Sequence, residues 1–468
     1  MLNLEAAAGA LVLVTIAYLT LANSCQVAMG IIASHRLWRY LRGRTVRNLA
    51  LPRRLASPPM ISVIMPAYNE GVTIVQSVRA VLALEYQPLE IVVVNDGSSD
   101  HTLAVLERTF HLLPAPLAFP QPLPSAPLRG IYRSSDAPAL LVIDKQNGGC
   151  KADAANAGIN ASSGAFVLII DADTILEPDS LGRASMKVLE DPTTIAVGGY
   201  VAIANGCRIE NGKVLDASMP RNWFARFQVV EYMRSFFLFR AASAWGNGVS
   251  LISGAFGLFR RAAVIDAGGY DVHAIGEDMD LTLRLHALFR ARGEPATIAF
   301  VPFLVCWTQA PEDVASLRAQ RTRWRRGLLQ VLWRHRSMIG NPRYGFVGGV
   351  VLPYTAIIEG LGPLLESTGY ATATVAMVVG LLNWYHYGVL WAVSILFGAA
   401  VTLLAVLLND VATRRYQRGR DLALLIAIAV IENAGYRQLN AWWGVVGTLQ
   451  AALGRGGWGP MKRRAFNE

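Results

Sequence analysis

Hydrophobic residues are concentrated in two blocks, one near the start of the chain and one near its end. The first block, residues 7–33, contains no charged side chain and is longer than the roughly 20 residues that a helix needs to cross a bilayer. The segment before it contains the acid Glu5 and no lysine or arginine, unlike the start of a cleaved signal peptide. We therefore predict a retained transmembrane anchor over residues 7–33.

The second apolar block covers residues 346–453 and predicts transmembrane or interfacial helices. Its last stretch, 421–453, contains polar pairs at 432–433 and 437–438 that divide it into halves too short to cross a bilayer separately. Either two or four crossings of the membrane would fit this block. We favour four because its first two apolar runs, 346–365 and 369–386, are long enough to cross. The clearest candidate span is 388–408, and the weaker ones are 346–365 and 369–386.

Between the two blocks, residues 57–310 contain short apolar runs that end in polar clusters. Two such runs are residues 61–70 (ISVIMPAYNE) and 90–100 (EIVVVNDGSSD), and the segment between them has helical spacing. Uninterrupted valine and isoleucine runs are typical of parallel strands, whose ligands bind beyond the carboxyl ends of the strands. The pattern predicts a strand, helix, strand unit with a ligand site, although turns without a ligand use the same polar residues.

A third run, residues 165–173 (AFVLIIDAD), ends in two carboxylates that are separated by one residue. Residues i and i+2 of a strand lie on one face, so Asp171 and Asp173 are expected to reach one hard cation, which in turn binds diphosphate oxygens. The glycine-rich turn before this strand, residues 147–153, contains Lys151, which we expect to meet phosphate charge. The context favours a functional site over a chance DxD sequence.

Two later clusters are each ambiguous when they are read alone. Residues 276–286 (GEDMDLTLRLH) place acids at the start of a predicted helix, where acids are also ordinary partners of the helix dipole. Residues 318–336 contain seven arginines and no acid, which is typical of a segment attracted to anionic lipid headgroups. Lipid attraction explains the arginines but does not require Gln320 or Trp324.

Composition and charge agree with a membrane protein. Of the 468 residues, 53% are hydrophobic and 16% are charged, against about 25% charged residues in a typical soluble domain. This balance excludes a disordered chain and argues against an ordinary soluble enzyme. The four cysteines lack the spacing of a zinc site or a disulfide framework. The formal net charge of +10 lies beside the apolar blocks, so we expect no nucleic-acid partner.

The distribution of arginine predicts the orientation in the membrane. Residues 35–54 contain seven arginines and no acid, and loops rich in Lys and Arg remain cytoplasmic. We therefore expect a multi-pass protein of the inner (cytoplasmic) membrane whose central domain is cytoplasmic. The basic residues at 455–464 predict a cytoplasmic C-terminus, and hence an even number of crossings after that domain. Four crossings would place the basic loop 413–420 outside, whereas two would keep it inside.

Seven short motifs between residues 66 and 324 occur in an order that resembles that of the membrane-embedded inverting glycosyltransferases of family 2. This family includes cellulose, hyaluronan, chitin and poly-N-acetylglucosamine synthases. The resemblance covers about residues 58–330. It implies an α/β fold, with a cytosolic GT-A-type nucleotide-sugar-binding domain (57–310) inserted between the anchor (7–33) and a C-terminal helical membrane block (346–453), and with interfacial helices at 311–345. The motifs are PAYNE (66–70), NDGSSD (95–100), NGGCKADAANAG (147–158), DAD (171–173), SGAFG (253–257), GED (276–278) and QRTRW (320–324).

The resemblance also implies a role for individual residues. Asp278 would be the general base that takes the proton of the acceptor hydroxyl. Mg²⁺ or Mn²⁺ would bind between the DAD acids and the diphosphate. The remaining assignments are Tyr68, Glu70 and Asp96 to the uridine and ribose, Lys151 and Asp171 to the nucleotide, Asp171 and Asp173 to the metal, and Glu277, Gln320, Arg323 and Trp324 to the acceptor and diphosphate.

Two features depart from the family pattern. Cys150 interrupts the usual glycine-glycine-lysine sequence immediately before Lys151. Six prolines between Pro114 and Pro127 predict a polyproline-like surface excursion between two strand units. Neither feature changes the acids on which the predicted activity depends.

We predict a processive enzyme that extends an exopolysaccharide from a UDP-sugar, with UDP-GlcNAc as the donor, and feeds the polymer into its own membrane channel. One alternative is a single transfer to a lipid-linked acceptor. Another, from a different class, is a catalytically idle membrane receptor or scaffold. The expected partners are the UDP-sugar, a polysaccharide or lipid-linked acceptor, and membrane lipids, while accessory subunits are possible but not identified by the sequence.

Overall fold

The computed structural model describes residues 2–46, 58–210 and 212–454. The chain divides into two compact units, and each is described by itself. Unit 1 comprises Met1–Trp38, Met219–Trp245 and Pro311–Gly459, and unit 2 comprises Arg39–Ser218, Gly246–Ala310 and Pro460–Glu468. The segment Met219–Trp245, which lies within the predicted 57–310 domain, therefore groups with unit 1. The basic positions 455–464 lie outside the described residues.

The described strands all lie in unit 2, and three of them coincide with the apolar runs at 61–70, 90–100 and 165–173. The runs at 61–67 and 89–95 are strands whose side chains are nearly all buried, as expected for strands covered on both faces. The strands are β1 (Ile61–Ala67), β2 (Leu89–Asn95), β3 (Leu112–Pro114), β4 (Leu128–Ser134), β5 (Leu140–Lys145), β6 (Phe166–Ile169), β7 (Ile175–Leu176), β8 (Thr194–Ile203), β9 (Arg208–Glu210), β10 (Lys213–Asp216), β11 (Gly257–Arg260) and β12 (Thr297–Thr308).

Ten of these strands form one mixed sheet in the order β3-β4-β5-β2-β1-β6-β11-β8-β12-β7. Its centre is parallel, because β1 pairs in parallel with both β2 and β6, and β2 pairs in parallel with β5. The strand β11 is antiparallel to both of its neighbours. The carboxyl ends of β1, β2, β5 and β6 therefore meet at one edge of the sheet, where the first four polar motifs lie.

Both units contain helices. Those of unit 2 cover the sheet, with α4 packed on β1 and β2, and α5 packed on β8 and β12. In chain order they are α1 (Leu2–Val46), α2 (Ile74–Leu82), α3 (Thr102–Phe110), α4 (Lys151–Ala161), α5 (Ser180–Glu190), α6 (Trp223–Arg234), α7 (Ala241–Ser243), α8 (Arg261–Asp266), α9 (Glu277–Arg292), α10 (Val314–Arg334), α11 (Leu352–Tyr354), α12 (Gly362–Val378), α13 (Trp384–Ala392), α14 (Gly398–Thr413), α15 (Gly419–Ile431) and α16 (Tyr436–Ala452).

In the described residues of unit 1, all regular secondary structure is helical. By length and composition, three of its helical segments are able to cross a membrane: Ala6–Arg42, Val347–Val378 and Trp384–Thr413. The helices α15 and α16 are bent by 55° at a short break and, if counted as one span, would be a third candidate in the C-terminal block. The described residues of that block therefore contain two or three candidate spans, not the four that we favoured from the sequence. The break between α15 and α16 lies where the sequence predicted that polar pairs divide the last apolar stretch. The N-terminal apolar helix, the mixed α/β core and the C-terminal apolar helices confirm the predicted fold class.

The two separate spans predicted at 346–365 and 369–386 are wrong. A single helical segment runs from Val347 to Val378, and the break follows at 379–383. Pro353 and Pro363 do not end this helical segment, and each follows a π-helical stretch, Val347–Val351 and Thr355–Leu361 respectively. A π-helical turn shifts the hydrogen bonds to residues five apart and so accommodates a proline without ending the helix.

The proline-rich excursion is mostly exposed, but hydrogen bonds around Leu123 hold it against α4. Leu123 is buried, with 2% of its surface exposed. Its backbone N–H donates to the side chain of Asn160 (3.1 Å), whose amide donates back to the Leu123 carbonyl (2.8 Å). One residue along, Pro124 accepts a hydrogen bond from Asn156 (3.2 Å). The polar face of α4 therefore holds the excursion in place.

Candidate active site

The loops that follow β1 and β2 are fastened to each other by hydrogen bonds. Asn69 has a left-handed backbone conformation with φ of 56°. Its side-chain oxygen accepts hydrogen bonds from the backbone N–H groups of Ser99 (2.9 Å) and Asp100 (3.3 Å). Asp100 in turn accepts a hydrogen bond from the N–H of Gly71 (3.1 Å). The PAYNE and NDGSSD motifs are therefore parts of one structure at the edge of the sheet.

The three residues predicted to hold the nucleoside differ in exposure. Tyr68 is 51% exposed, whereas Glu70 and Asp96 are buried. The carboxylate of Glu70 accepts a hydrogen bond from the hydroxyl of Thr73 (2.8 Å), and its backbone N–H donates to Thr102 (2.9 Å). Tyr68 is thus the most accessible of the three, and the two acids are held by the surrounding protein.

A fully buried lysine, Lys145, links the end of β2 to α4. Its ammonium contacts the carboxylates of Asp96 and Asp153, each at 2.5 Å. Asp96 also accepts a hydrogen bond from the N–H of Gly148 (3.0 Å), and Asp153 accepts one from the N–H of Ala126 (2.9 Å) in the proline-rich excursion. The orientation of Asp96 is therefore fixed by the glycine-rich turn and by Lys145.

Lys151, the first residue of α4, brings three motifs together. Its ammonium forms an ion pair with Asp171 and donates to the carbonyl of Gly254 (2.9 Å). A side chain at position 254 would bring a Cβ to 3.1 Å from this ammonium and to 4.0 Å from a carboxylate oxygen of Asp278. The glycine turn, the DAD motif, the SGAFG motif and the GED motif therefore converge around one lysine.

The charges around Lys151 are mainly negative. Burial acts to lower the pKa of Lys151, but Asp171, Glu277 and Asp278 act in the opposite direction, and together they leave this pKa above its usual value. Burial also raises the pKa of Tyr270 well above its usual value, and Asp278 and Glu277 add to that effect. Three carboxylates thus surround one ammonium, so this part of unit 2 attracts positive charge.

The pair Asp171 and Asp173 suits a hard divalent cation. Burial raises the pKa of the Cys306 thiol well above its usual value, and Asp171, Glu177 and Asp173 contribute, so both DAD acids lie near this thiol. The side chain of Asp171 is 35% exposed and Asp173 is buried. In the described part of the chain, no cluster of three or more His, Cys, Asp or Glu side chains is arranged to hold a metal. A cation here would therefore complete its shell with water and diphosphate oxygens, as Mg²⁺ commonly does.

The segment after the DAD motif is anchored to the sheet by a buried tryptophan. The indole N–H of Trp307, which is fully buried in β12, donates to the carboxylate of Glu177 (2.6 Å). The backbone N–H of Glu177 donates to the carbonyl of Val305 (2.9 Å). These contacts fix the short strand β7 and with it the exit of the loop that carries Asp171 and Asp173.

The acids at the start of α9 have different surroundings. Asp280 is fully buried and forms an ion pair with Arg284 (2.8 Å), whose guanidinium also donates to the carbonyl of Gly269 (2.6 Å). Asp278 is partly exposed, and one of its oxygens accepts a hydrogen bond from the N–H of Met279 (2.8 Å). Asp280 therefore stabilises the fold, whereas Glu277 and Asp278 face the group around Lys151.

The QRTRW motif lies on α10, in unit 1. Its residue Trp324 is 42% exposed and is stacked against the guanidinium of Arg321, which lies 4.5 Å from the ring centre. Arg321 is buried and forms an ion pair with Glu231 (2.8 Å). The side-chain oxygen of Gln320 is buried with no hydrogen-bond partner in the described structure, and Arg323 is partly exposed. The motif therefore contains a structural arginine between the predicted binding residues.

Sequence reasoning missed Lys145, Asp153, Glu177 and Trp307. Each is a buried polar residue whose partner is distant in the sequence, so no local spacing indicates it. Lys145 had a weak signal, because a lysine that ends an apolar strand run is seldom fully buried without paired acids. The predicted site residues Lys151, Asp171, Glu277 and Asp278 are brought together, while Gln320, Arg323 and Trp324 belong to the other unit.

Comparisons with known proteins agree with these observations. A family model described as "Glycosyl transferase family group 2" matches residues 166–410, more than half of the chain, and one described as "Glycosyl transferase family 2" matches residues 62–118. The chain is similar to the poly-beta-1,6-N-acetyl-D-glucosamine synthase of Staphylococcus aureus strain COL, at 30% identity over 274 residues, and to that of Staphylococcus epidermidis, at 28%. Each alignment covers 58% of this chain and 56% of the relative, so the chain spans about half the length of the curated relatives it matches.

Among solved structures, the chain resembles the mannosyltransferase PcManGT from Pyrobaculum calidifontis in complex with GDP-Man and Mn²⁺. The TM-score is 0.53 at 18% sequence identity, and the match covers 90% of this chain and 99% of that chain. At this identity the likeness shows the fold, which is the mixed α/β core typical of GT-A enzymes.

Proposed function

This chain belongs to glycosyl transferase family group 2, as the order of its motifs predicted, and we propose that it is a membrane-bound inverting enzyme that builds a β-linked exopolysaccharide from a UDP-sugar. The names of the curated relatives support UDP-GlcNAc as the donor. The bound GDP-Man and Mn²⁺ of the mannosyltransferase support a nucleotide-sugar donor and a divalent cation. We propose that residues 57–310 form the catalytic domain, on the cytoplasmic side of the inner membrane, with 7–33, 311–345 and 346–453 as anchor, interfacial and membrane segments.

The observation that carries this proposal is the meeting of Lys151, Asp171, Glu277 and Asp278 around Gly254. This cluster contains the groups that both halves of a displacement reaction require. The Lys151 ammonium suits the leaving diphosphate, and a carboxylate suits the attacking hydroxyl. Gly254 has no side chain, so no Cβ lies between the Lys151 ammonium and the Asp278 carboxylate.

We assign the general base to Asp278. Its carboxylate would accept the proton of the acceptor hydroxyl as that oxygen forms a bond to the anomeric carbon of the donor. The bond from the anomeric carbon to the diphosphate then breaks, and its electron pair stays on the diphosphate. A base of this kind must lie within about 3 Å of the hydroxyl. One carboxylate is enough, because inversion requires no covalent enzyme intermediate.

The leaving diphosphate needs positive charge. Lys151 would donate to its oxygens, and Asp171 and Asp173 would hold a divalent cation against them. When bound, the cation acts as a Lewis acid that stabilises the charge developing on the diphosphate. Tyr68, Glu70 and Asp96 would hold the uridine and ribose, and Lys145 would keep Asp96 in place for that contact.

We propose that Gln320, Arg323 and Trp324 serve the acceptor and the diphosphate, as their motif implies. The exposed face of Trp324 suits stacking on a sugar ring, since aromatic rings bind the apolar faces of sugars. Processive synthesis coupled to translocation through the apolar helices of unit 1 is part of this proposal. A single transfer to a lipid-linked acceptor is the alternative outcome.

The test is a panel of UDP-sugars offered to the purified full-length chain in detergent, with release of UDP and the size of radiolabelled product as readouts. We expect release from UDP-GlcNAc that requires Mg²⁺ or Mn²⁺, and a polymeric product. A product of one sugar on lipid would overturn processivity. No UDP release from any donor, in protein that is folded and metal-loaded, would favour the receptor or scaffold alternative.

A further inference from the structure

The ammonium of Lys151 forms an ion pair with Asp171, whose carboxylate a metal ion at the DAD motif would need. Its partner Asp171 is the more exposed acid of the DAD pair, with 35% of its side chain accessible, while Asp173 is buried. Asp171 is therefore the natural entry point for a cation, yet one of its oxygens is already in an ion pair with Lys151. A cation that approaches Asp171 meets a like charge in direct contact with its ligand.

The position of Lys151 is set by more than this ion pair. The ammonium also donates to the carbonyl of Gly254 (2.9 Å), and only 17% of its side chain is exposed. Glu277 and Asp278 add attraction from α9. In a partly desolvated site these charge interactions are stronger than in water. Lys151 thus neutralises an excess of acid that would otherwise attract a cation.

A diphosphate offers this lysine a different partner. Lys151 is the first residue of α4, where backbone N–H groups and the helix dipole also favour an anion. If the ammonium moves from Asp171 to a phosphate oxygen, the Asp171 carboxylate becomes available to a metal. The lysine then binds the donor, and the freed carboxylate binds the cation that the same diphosphate coordinates.

We propose that Lys151 and the divalent cation compete for Asp171, and that the donor diphosphate relieves this competition by drawing Lys151 away. The proposal deepens the proposed function and rests on its assignment of a nucleotide diphosphate and a metal to this site. Its consequence is that metal and nucleotide bind with positive coupling carried in part by Lys151. By linkage, UDP must then strengthen metal binding by the same factor as the metal strengthens UDP binding.

The experiment measures Mn²⁺ affinity by the loss of the free Mn²⁺ electron paramagnetic resonance signal, using the full chain in detergent with and without UDP. Without nucleotide, Lys151→Met should bind Mn²⁺ about 10-fold more tightly than the wild type, because the competing ammonium is gone. UDP should strengthen Mn²⁺ binding by a smaller factor in Lys151→Met than in the wild type. Couplings of this kind are typically about 5-fold to 150-fold.

Two matched variants serve as controls. Lys151→Arg keeps the positive charge and should retain the weak nucleotide-free affinity of the wild type. Lys187→Met removes the same charge from a surface ion pair with Glu190 (2.9 Å) on α5 and should leave Mn²⁺ affinity unchanged. If Lys187→Met tightens Mn²⁺ binding as much as Lys151→Met does, net charge rather than competition is the cause, and the proposal is wrong.

Thermal melting gives a second readout that does not depend on a quantitative affinity. Lys151→Met leaves three acids without their ammonium, so Mn²⁺ should raise its melting temperature more than that of the wild type. Nucleotide-free Mn²⁺ affinity equal to or weaker than wild type, together with an equal or smaller Mn²⁺ effect on melting, would overturn the competition. Absence of any UDP effect on wild-type Mn²⁺ binding would refute the relief of this competition by a diphosphate, while the nucleotide-free comparison still decides the competition itself. Release of UDP from a UDP-sugar is the separate test of the nucleotide site in the proposed function.

Discussion

Both units bury charged side chains, but they balance the charges differently. In unit 2, Lys151 is surrounded by Asp171, Glu277 and Asp278, an excess of acid over base. In unit 1, three buried or half-buried arginines each form an ion pair with a single glutamate that is distant in the sequence. The matched pairs are Arg437 with Glu366 (3.0 Å), Arg321 with Glu231 (2.8 Å), and Arg234 with Glu432.

The difference separates two uses of a buried charge. A balanced pair satisfies its own electrostatics, and its consequence is that two helices are held together. A buried cluster with more acids than bases attracts a positively charged ligand. The reason is that burial of uncompensated like charges costs free energy until a counter-charge binds. We therefore expect the imbalance in unit 2 to mark the reactive site, and the pairs in unit 1 to contribute mainly to stability.

The largest expected effect is on activity, from Asp278→Asn. This variant removes the proposed base, so UDP release should fall by about 10²-fold to 10⁴-fold. Because Asp278 is one of several acids around a single lysine, its neutralisation should leave the melting temperature unchanged or raise it. The measurement is UDP release at saturating donor and metal, alongside a thermal melt. Activity within about 3-fold of wild type would show that the acid excess does not mark the base.

The next effect is on stability, from Arg437→Met. This change leaves Glu366 buried without the guanidinium that donates two hydrogen bonds to it, at 3.0 and 3.2 Å. Removal of one partner of a buried pair typically costs about 3–5 kcal/mol, whereas replacement of both partners costs much less. We expect Arg437→Met to lower the free energy of unfolding in SDS titrations by that amount, and the double variant Arg437→Met, Glu366→Leu to recover most of it.

The control for the buried pair is a surface pair. Arg208→Met removes an ion pair with Glu210 on the exposed strand β9 of unit 2, and exposed pairs contribute at most about 1 kcal/mol. Equal losses from Arg437→Met and Arg208→Met would contradict the view that the buried pairs hold the helices of unit 1.

A third prediction concerns pH and a buried group of unit 2 outside the site. Burial lowers the pKa of His286 to about 4, and the neutral ring donates from Nε2 to the carbonyl of Val249 (2.9 Å). Because the unfolded chain takes up this proton near pH 6.5, the stabilising contribution is complete above that pH and is lost as pH falls toward 4. The loss should reach about 3 kcal/mol at pH 4.

The measurement is the melting temperature from pH 7 to pH 4.5 for the wild type and His286→Gln. The variant should be less stable at pH 7, and its stability should fall less steeply below pH 6.5. Parallel pH curves for the two proteins would show that His286 does not titrate on unfolding.

The sequence predicted the strand ends and their acids well, because both depend on local rules. Apolar runs identify strands such as β2, and polar motifs follow these runs. Asp171 and Asp173, however, lie in the turn after β6, so the alternation of side chains along a strand does not apply to them. Prediction from the sequence failed where contacts between distant parts of the chain determine the structure. Pro353 and Pro363 are tolerated because π-helical stretches precede them. Lys145 is buried because Asp96 and Asp153 enclose it.

The smallest expected effect comes from Trp307→Phe, which tests whether an acid next to the site can have a purely structural role. The phenylalanine ring keeps most of the buried volume but removes the donor to Glu177, which is itself buried. Loss of one hydrogen bond to a charged group typically costs about 2 kcal/mol. We expect that loss in thermal unfolding, and a smaller loss for Glu177→Gln, whose amide oxygen still accepts from the indole. A large fall in Mn²⁺ affinity in Trp307→Phe, with stability unchanged, would instead place Glu177 among the acids that hold the metal. The excess of negative charge in unit 2 would then extend beyond the residues around Lys151.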